Sequence, residues 1–309
     1  MKLMYFFLPV TVILAPLPAL ADTVTGSAMP WWGWAGLLFL VTFLIGIFGV
    51  MAGIGGGVLF VPLVGGFFPF HIDFVRGAGL FLALSTSLAS APQLLKANLA
   101  SIKLSLPVAM IASGFSILGA YLGLWLSALS PSYVQGSLGV LILMIVVIMW
   151  TSKRSEHPLV RPDDPLSRLL ELGGTYIEGS TGQKIEWTTH RTWIGLACFA
   201  VVGLVAGMFG LGSGWASVPV INLVMGAPIK IAVATSGFSL SVITTPAWIY
   251  LNKGGVLPLI VAPSIFGTMI GARIGAKLLP KVKPSFIRRL VIVVLALAGL
   301  RSLAKAFGI

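Results

Sequence analysis

The sequence predicts an all-α polytopic membrane protein made of two internal repeats, and three observations carry that prediction. Hydrophobic residues make up 57% of the 309, charged residues 9%, and mean hydropathy is +1.03, whereas about a quarter of a soluble domain is charged. Apolar stretches of spanning length, about 17–25 residues each, alternate with charged ones, and no period-two pattern marks them as barrel strands. Finally, Gly53-Ile54-Gly55-Gly56-Gly57 followed by Val61-Pro62 is answered by Gly210-Leu211-Gly212-Ser213-Gly214 followed by Val218-Pro219. Each glycine cluster sits inside an apolar run and is expected to break a membrane helix at depth, where backbone N–H groups must face protein, water or a ligand.

Residues 1–21 read as a secretory signal peptide: Lys2, an apolar run from Leu3 to Leu14, Pro16 and Pro18, then Ala19-Leu20-Ala21 before Asp22. An uncleaved first span is the other reading, and both put Asp22 on the far side of the membrane. Trp31, Trp32 and Trp34 form an interfacial aromatic belt. The first repeat, within residues 22–150, has an apolar stretch from Trp34 to Phe68 containing the glycine cluster, then helices near Phe74–Leu95, Leu104–Leu129 and Tyr133–Trp150. The second, within residues 192–309, reads Thr192–Val224, Ile229–Leu251, Leu257–Leu279 and Phe286–Phe307. Ser85-Thr86-Ser87 is echoed by Ala234-Thr235-Ser236, and Gly119-Ala120-x-x-Gly123 by Gly271-Ala272-x-x-Gly275. Extra residues around Phe67 to Gly79 are the main asymmetry between the halves.

Residues 151–191 carry six basic and six acidic residues, which reads as a solvated cytoplasmic linker, with a small hairpin around Gly179-Ser180-Thr181-Gly182. The net charge of +12 lies in loops and at helix ends, so it marks orientation in the membrane and no nucleic-acid partner. If each glycine-broken stretch dips in and returns, each copy makes three full crossings, the copies are inverted, and Lys96, Lys103, the linker, Lys277 and Arg289 share the cytoplasmic side. If each stretch crosses once, the copies are parallel and basic loops face both ways. The charge bias favours the inverted plan, which recurs among transporters. Against it stands length, because Trp34 to Ala52 alone would span at about 1.5 Å per residue.

The chain resembles the sulfite exporter TauE/SafE family at Gly55-Gly56-Gly57 with Val61-Pro62 and Ser85-Thr86-Ser87-Leu88, repeated as Gly212-Ser213-Gly214 with Val218-Pro219 and Ala234-Thr235-Ser236, with Gly271-Ala272-Arg273-Ile274-Gly275 as a third match. The resemblance covers roughly residues 34–150 and 192–307. It implies a multi-pass protein of the plasma (inner) membrane that transports small sulfur-containing or organic anions, usually outward. Ser213 in place of a glycine, and Gly237 where the first copy has Leu88, imply that the second half-site is shaped differently.

A helix restarting at Gly55, Gly56 and Gly57, or at Gly212, Ser213 and Gly214, presents N–H groups and the positive end of its dipole, which suits a small anionic substrate. Close helix packing by small residues is the competing reading. Thr86, Ser87, Thr235 and Ser236 add hydroxyl donors, against the alternative that each bonds to its own i−4 carbonyl. Arg273 is a candidate anion contact, weighed against snorkelling to the interface. No Asp or Glu lies inside a predicted span, Asp73 falling at a helix edge, so no carboxylate relay for protons is expected and transport is expected to follow the membrane potential. Cys198 is the single cysteine, and neither cofactor, metal nor enzyme constellation is read. The competing classes are an anion importer and a membrane assembly protein without transport.

Overall fold

The computed structural model describes residues 30–52, 54–96, 99–151, 164–177, 184–253, 255–278 and 284–307. The stretch read as a signal peptide or first span, Gly53 and the tip of the linker hairpin lie outside the described residues. The first repeat comprises α1 (Trp31–Ala52), α2 (Gly55–Phe67), α3 (Ile72–Lys96), α4 (Ile102–Leu129) and α5 (Pro131–Thr151). The linker contributes α6 (Pro165–Leu169), β1 (Gly173–Ile177) and β2 (Lys184–Thr188). The second repeat comprises α7 (Thr192–Phe209), α8 (Gly214–Pro219) continued by a π-turn (Val220–Val224), α9 (Ile229–Ile243), α10 (Ala247–Asn252), α11 (Pro258–Leu278) and α12 (Pro284–Ala306). Seven described stretches are long and apolar enough to cross a membrane, and the chain is a multi-pass helical membrane protein.

Both glycine clusters break their helices. After α1, Gly55 takes φ +72, and after α7, Gly210 and Gly212 take φ +69 and +71, left-handed values that a side chain disfavours by about 1–2 kcal/mol. Each broken stretch comprises one long helix, of 22 and 18 residues, and one short segment, Gly55–Phe67 and Gly214–Val224. At about 1.5 Å per residue, α1 is roughly 33 Å long and α2 roughly 20 Å. The short segments turn back. The Trp34 ring at the start of α1 lies 5.6 Å from Phe68 and 5.7 Å from Phe70 just beyond α2, and the N–H of His190 before α7 donates to the carbonyl of Met225 beyond the π-turn at 2.9 Å. Each stretch therefore brings its two ends together.

The halves exchange partners. The first helix of one half lies along a long helix of the other, α1 on α11 and α7 on α4, at spacings only glycine permits: a Cβ at Gly271 would overlap the Phe43 carbonyl, and one at Gly119 the Leu204 carbonyl. The packing shifts the motif pairing by one helical turn. Gly119 does in the first half what Gly275, against the Ile47 carbonyl, does in the second, so Gly119 and Gly271 share a motif without sharing a contact.

The hairpin pairs antiparallel from Gly173 opposite Thr188 to Ile177 opposite Lys184. It is less solvated than its polarity implies. Leu172, Tyr176 and Trp187 are buried in a cluster with Phe199, Ile221 and Met225, and Asp164 accepts bonds from both the Thr192 N–H (2.6 Å) and its hydroxyl (2.9 Å). That carboxylate caps the start of α7, where the helix dipole favours negative charge, and the linker is thereby docked on the second repeat.

Candidate functional site

The two breaks touch each other. A Cβ at Gly57 would stand 2.8 Å from the Leu211 carbonyl oxygen and 2.6 Å from that of Gly79, and a Cβ at Gly214 would overlap the Ile54 carbonyl. Ile54 and Leu211 occupy the same place in their respective breaks, so each break rests on the last glycine of the other half's cluster. Neither α2 nor α8 has a side-chain N-cap, so no side chain competes for the N–H groups at either start.

Beside this crossing, between α3 and α9, lies a cavity lined by Val50, Gly55, Thr86, Ser87, Ser90, Leu94, Val233, Gly237 and Leu240. Its volume of about 10 Å³ is the room of a single water, too small for an oxyanion. Three of the residues expected from sequence, Gly55, Thr86 and Ser87, line it. Gly56 lies behind Thr86, whose Oγ1 would be 2.7 Å from a Cβ there. That is why the first break requires glycine at the position where the second has Ser213.

The hydroxyls around the cavity have partners. Thr86 donates to its own Leu82 carbonyl (2.6 Å) and Ser90 to that of Thr86 (2.8 Å), the i−4 bonding that was the competing reading. Ser87 differs. Its hydroxyl donates across the halves to the Gly237 carbonyl at 2.6 Å. Thr235 is buried and accepts the Ser101 N–H at 3.1 Å, holding the loop between α3 and α4. Gly212, Gly214, Ser213 and Ser236 are buried nearby without lining the cavity, and the Ser213 hydroxyl has no partner among the described residues. Arg273 is exposed on α11 and away from the cavity.

Ser90, Leu94, Val233 and Leu240 were not singled out in the sequence, although Ser90 and Leu94 follow Thr86 at four-residue steps and so share its face. A second group was missed altogether. Asp73 falls in the first turn of α3 rather than outside it, and pairs at 2.8 Å with Arg76, which is wholly buried. Arg76 also donates to Tyr250, 174 positions away, at 2.6 Å. Among the described residues, no group of His, Cys, Asp or Glu is placed to hold a metal.

A model of the sulfite exporter TauE/SafE family matches residues 38–302. The probable membrane transporter protein YunE of Bacillus subtilis (strain 168) is 25% identical over 272 residues, covering 85% of this chain and 95% of the relative. The probable membrane transporter protein MJ0441 of Methanocaldococcus jannaschii is 26% identical over 265 residues, covering 79% and 88%. YdhB of Bacillus subtilis, also a probable membrane transporter protein, is 26% identical over 275 residues, covering 85% and 98%. No solved structure matches the chain.

Proposed function

The chain belongs to the sulfite exporter TauE/SafE family and is a membrane transporter, and from that premise we propose that it exports small sulfur-containing or organic anions, of the sulfite or sulfonate kind, across the plasma (inner) membrane. The observation that carries this reading is the crossing of the two breaks, with the uncapped start of α2 at Gly55 opening onto a cavity shared by both halves. A helix start supplies roughly half a positive charge without a titrating group. No Lys, Arg, Asp or Glu lines the cavity, so attraction for an anion comes from backbone dipoles and from hydroxyls released from their present partners.

Transport in this reading is alternating access by inverted halves. Opening the cavity separates α3 from α9, which breaks the Ser87–Gly237 bond and frees the Ser87 hydroxyl to donate to the anion. Closing restores the bond and expels the anion. The return of each broken stretch to its starting end supports re-entrant hairpins and hence inversion. With the interior negative, one negative charge moving outward releases about 2.3 kcal/mol per 100 mV, so export runs without a coupled ion. Flux of sulfite, thiosulfate, sulfoacetate, sulfate and carboxylates from liposomes holding the purified protein tests the proposal; no flux of any of them above protein-free liposomes would reject it.

A further inference from the structure

The first half carries extra residues around Phe67 to Gly79, and Arg76 lies within them. Its guanidinium is fully buried at the junction of four helices. Nη1 donates to Asp73 Oδ1 at 2.8 Å and to the Gly123 carbonyl of α4 at 3.3 Å, and Nη2 donates to the Tyr250 hydroxyl at 2.6 Å. The other oxygen of Asp73 accepts the Ser127 hydroxyl at 2.7 Å. The guanidinium carbon sits 5.2 Å from the centre of the Tyr250 ring, a cation–π distance. Gly123 makes the space, because a Cβ there would overlap Nη2.

Tyr250 leads to the other half. Its hydroxyl donates to the Gly207 carbonyl at 3.0 Å, with Met208 O at 3.4 Å, in the last turn of α7 before the break. Carbonyls at a helix end have no helical donors and together carry roughly half a negative charge. A hydroxyl that donates to such a carbonyl while accepting from a guanidinium brings the cation's field to the helix end. Where broken membrane helices leave carbonyl ends at depth, transporters place coupling cations against them. Here the cation is part of the chain.

We propose that Arg76 is a positioning residue for transport: a tethered cation, oriented by Asp73, that neutralises the open carbonyl end of α7 through Tyr250 and so fixes the second half's break against α3 and α4. The first half's extra segment thus supplies the charge that the second half's broken helix needs. Arg76 is buried and Asp73 partly exposed, so the guanidinium depends on the carboxylate, whose removal leaves an uncompensated buried charge. The Gly79–Gly210 and Gly57–Leu211 backbone approaches lie beside this junction, so loosening it displaces the crossing on which the cavity is built.

The test uses guanidinium ion as the probe. Arg76→Ala leaves a guanidinium-sized vacancy with Asp73, Tyr250 and the carbonyl end of α7 around it. Added guanidinium, at on the order of 10 mM, should raise the melting temperature of this variant saturably, as binding to the folded state alone does. Wild type should show no such rise, and sodium or potassium at equal concentration should not replace guanidinium. Because this melt needs no substrate, it can succeed or fail independently of the proposed anion. In voltage-driven sulfite efflux, normalised to folded protein, Arg76→Ala should lose roughly tenfold or more and regain flux with guanidinium. Tyr250→Phe keeps the ring and the Asp73–Arg76 pair and removes the hydroxyl's bonds, the one it accepts from Arg76 and those it donates toward Gly207 and Met208. It should lower the maximal rate several-fold at unchanged KM. A folded Arg76→Ala protein that guanidinium does not stabilise overturns the proposal, and so does Tyr250→Phe at wild-type flux, whatever the fate of Arg76→Ala.

Discussion

Replacing Gly57 by alanine probes the contact between the two breaks most sharply. The added methyl would lie 2.6 Å from the Gly79 carbonyl oxygen, 2.8 Å from the Leu211 carbonyl oxygen and 3.2 Å from the Leu211 carbonyl carbon. Those distances fall short of optimal non-bonded separation by roughly half an ångström or more. All three obstructing atoms belong to backbone, so α3 and the second break must move and no side chain can swing aside. Overpacking of this kind costs about 1–3 kcal/mol. Alanine also gains about 0.5–1 kcal/mol over glycine within a helix, and that gain must be separated out. Gly36 in α1 and Gly114 in α4 provide the control, because a Cβ at either meets nothing within 4 Å. The propensity gain is largely common to the three positions, so the difference between Gly57→Ala and the two controls isolates the packing cost. Thermal melts of the detergent-purified variants should show Gly57→Ala well below wild type and the controls at or above it, with anion efflux reduced only in Gly57→Ala. If Gly57→Ala melts with the controls and transports normally, the breaks do not meet as described.

Further outcomes follow from the same geometry. Thr86→Val should leave folding nearly intact and weaken anion binding by about 1–3 kcal/mol if a buried donor to a charged ligand is lost, whereas Thr235→Val, which also takes the acceptor from the Ser101 N–H, should lower the melting temperature as well; unchanged affinity in both, by isothermal titration, would return these hydroxyls to a packing role. In a Cys198→Ser background, a cysteine at Glu171 should be shielded from an impermeant reagent applied outside intact cells while one at Ser132 reacts, and the reverse, Glu171 labelled from outside with Ser132 shielded, would reject the inverted arrangement. Lys103 pairs with Glu171 and holds its carboxyl below the ordinary value of 4.5. The folded pKa is depressed, so the pair's contribution is present above pH 4.5 and is lost as pH falls through the lower folded value. Both groups are exposed and the effect is small, and proteolysis of the linker should be slower in wild type than in Glu171→Gln near neutral pH, with the difference vanishing in acid.

Hydropathy alone placed the long helices, because a span's length and apolarity are local properties of the chain. The breaks were legible for the same reason: a Gly-x-Gly cluster inside an apolar run names the residues that tolerate φ near +70, as Gly55 and Gly212 do. What the sequence leaves open is which groups meet across the halves. Ser87 and Thr86 are adjacent in the motif, yet one hydroxyl turns to its own helix and the other to Gly237, 150 positions away. The Asp73–Arg76–Tyr250 group was hidden in two ways. Its charges sit within a turn of an expected boundary, where an arginine reads as interfacial, and its third member is an unremarkable tyrosine until the fold brings it within 2.6 Å. Arg273 shows the converse, since a basic residue beside a motif proves to be exposed. The docking of the linker was not legible, because net polarity hides the few large residues, Leu172, Tyr176 and Trp187, that pack it against the rest of the chain.

The central claim, export of a small anion driven by the membrane potential, is tested most directly in liposomes where potassium and valinomycin set the voltage while a proton gradient is imposed separately. With sulfoacetate or another sulfonate that does not titrate in the range used, efflux should follow the imposed voltage, changing direction with its sign, and a proton gradient at zero voltage should leave it unchanged. Uphill accumulation driven by the proton gradient at zero voltage, with no response to voltage alone, would contradict it.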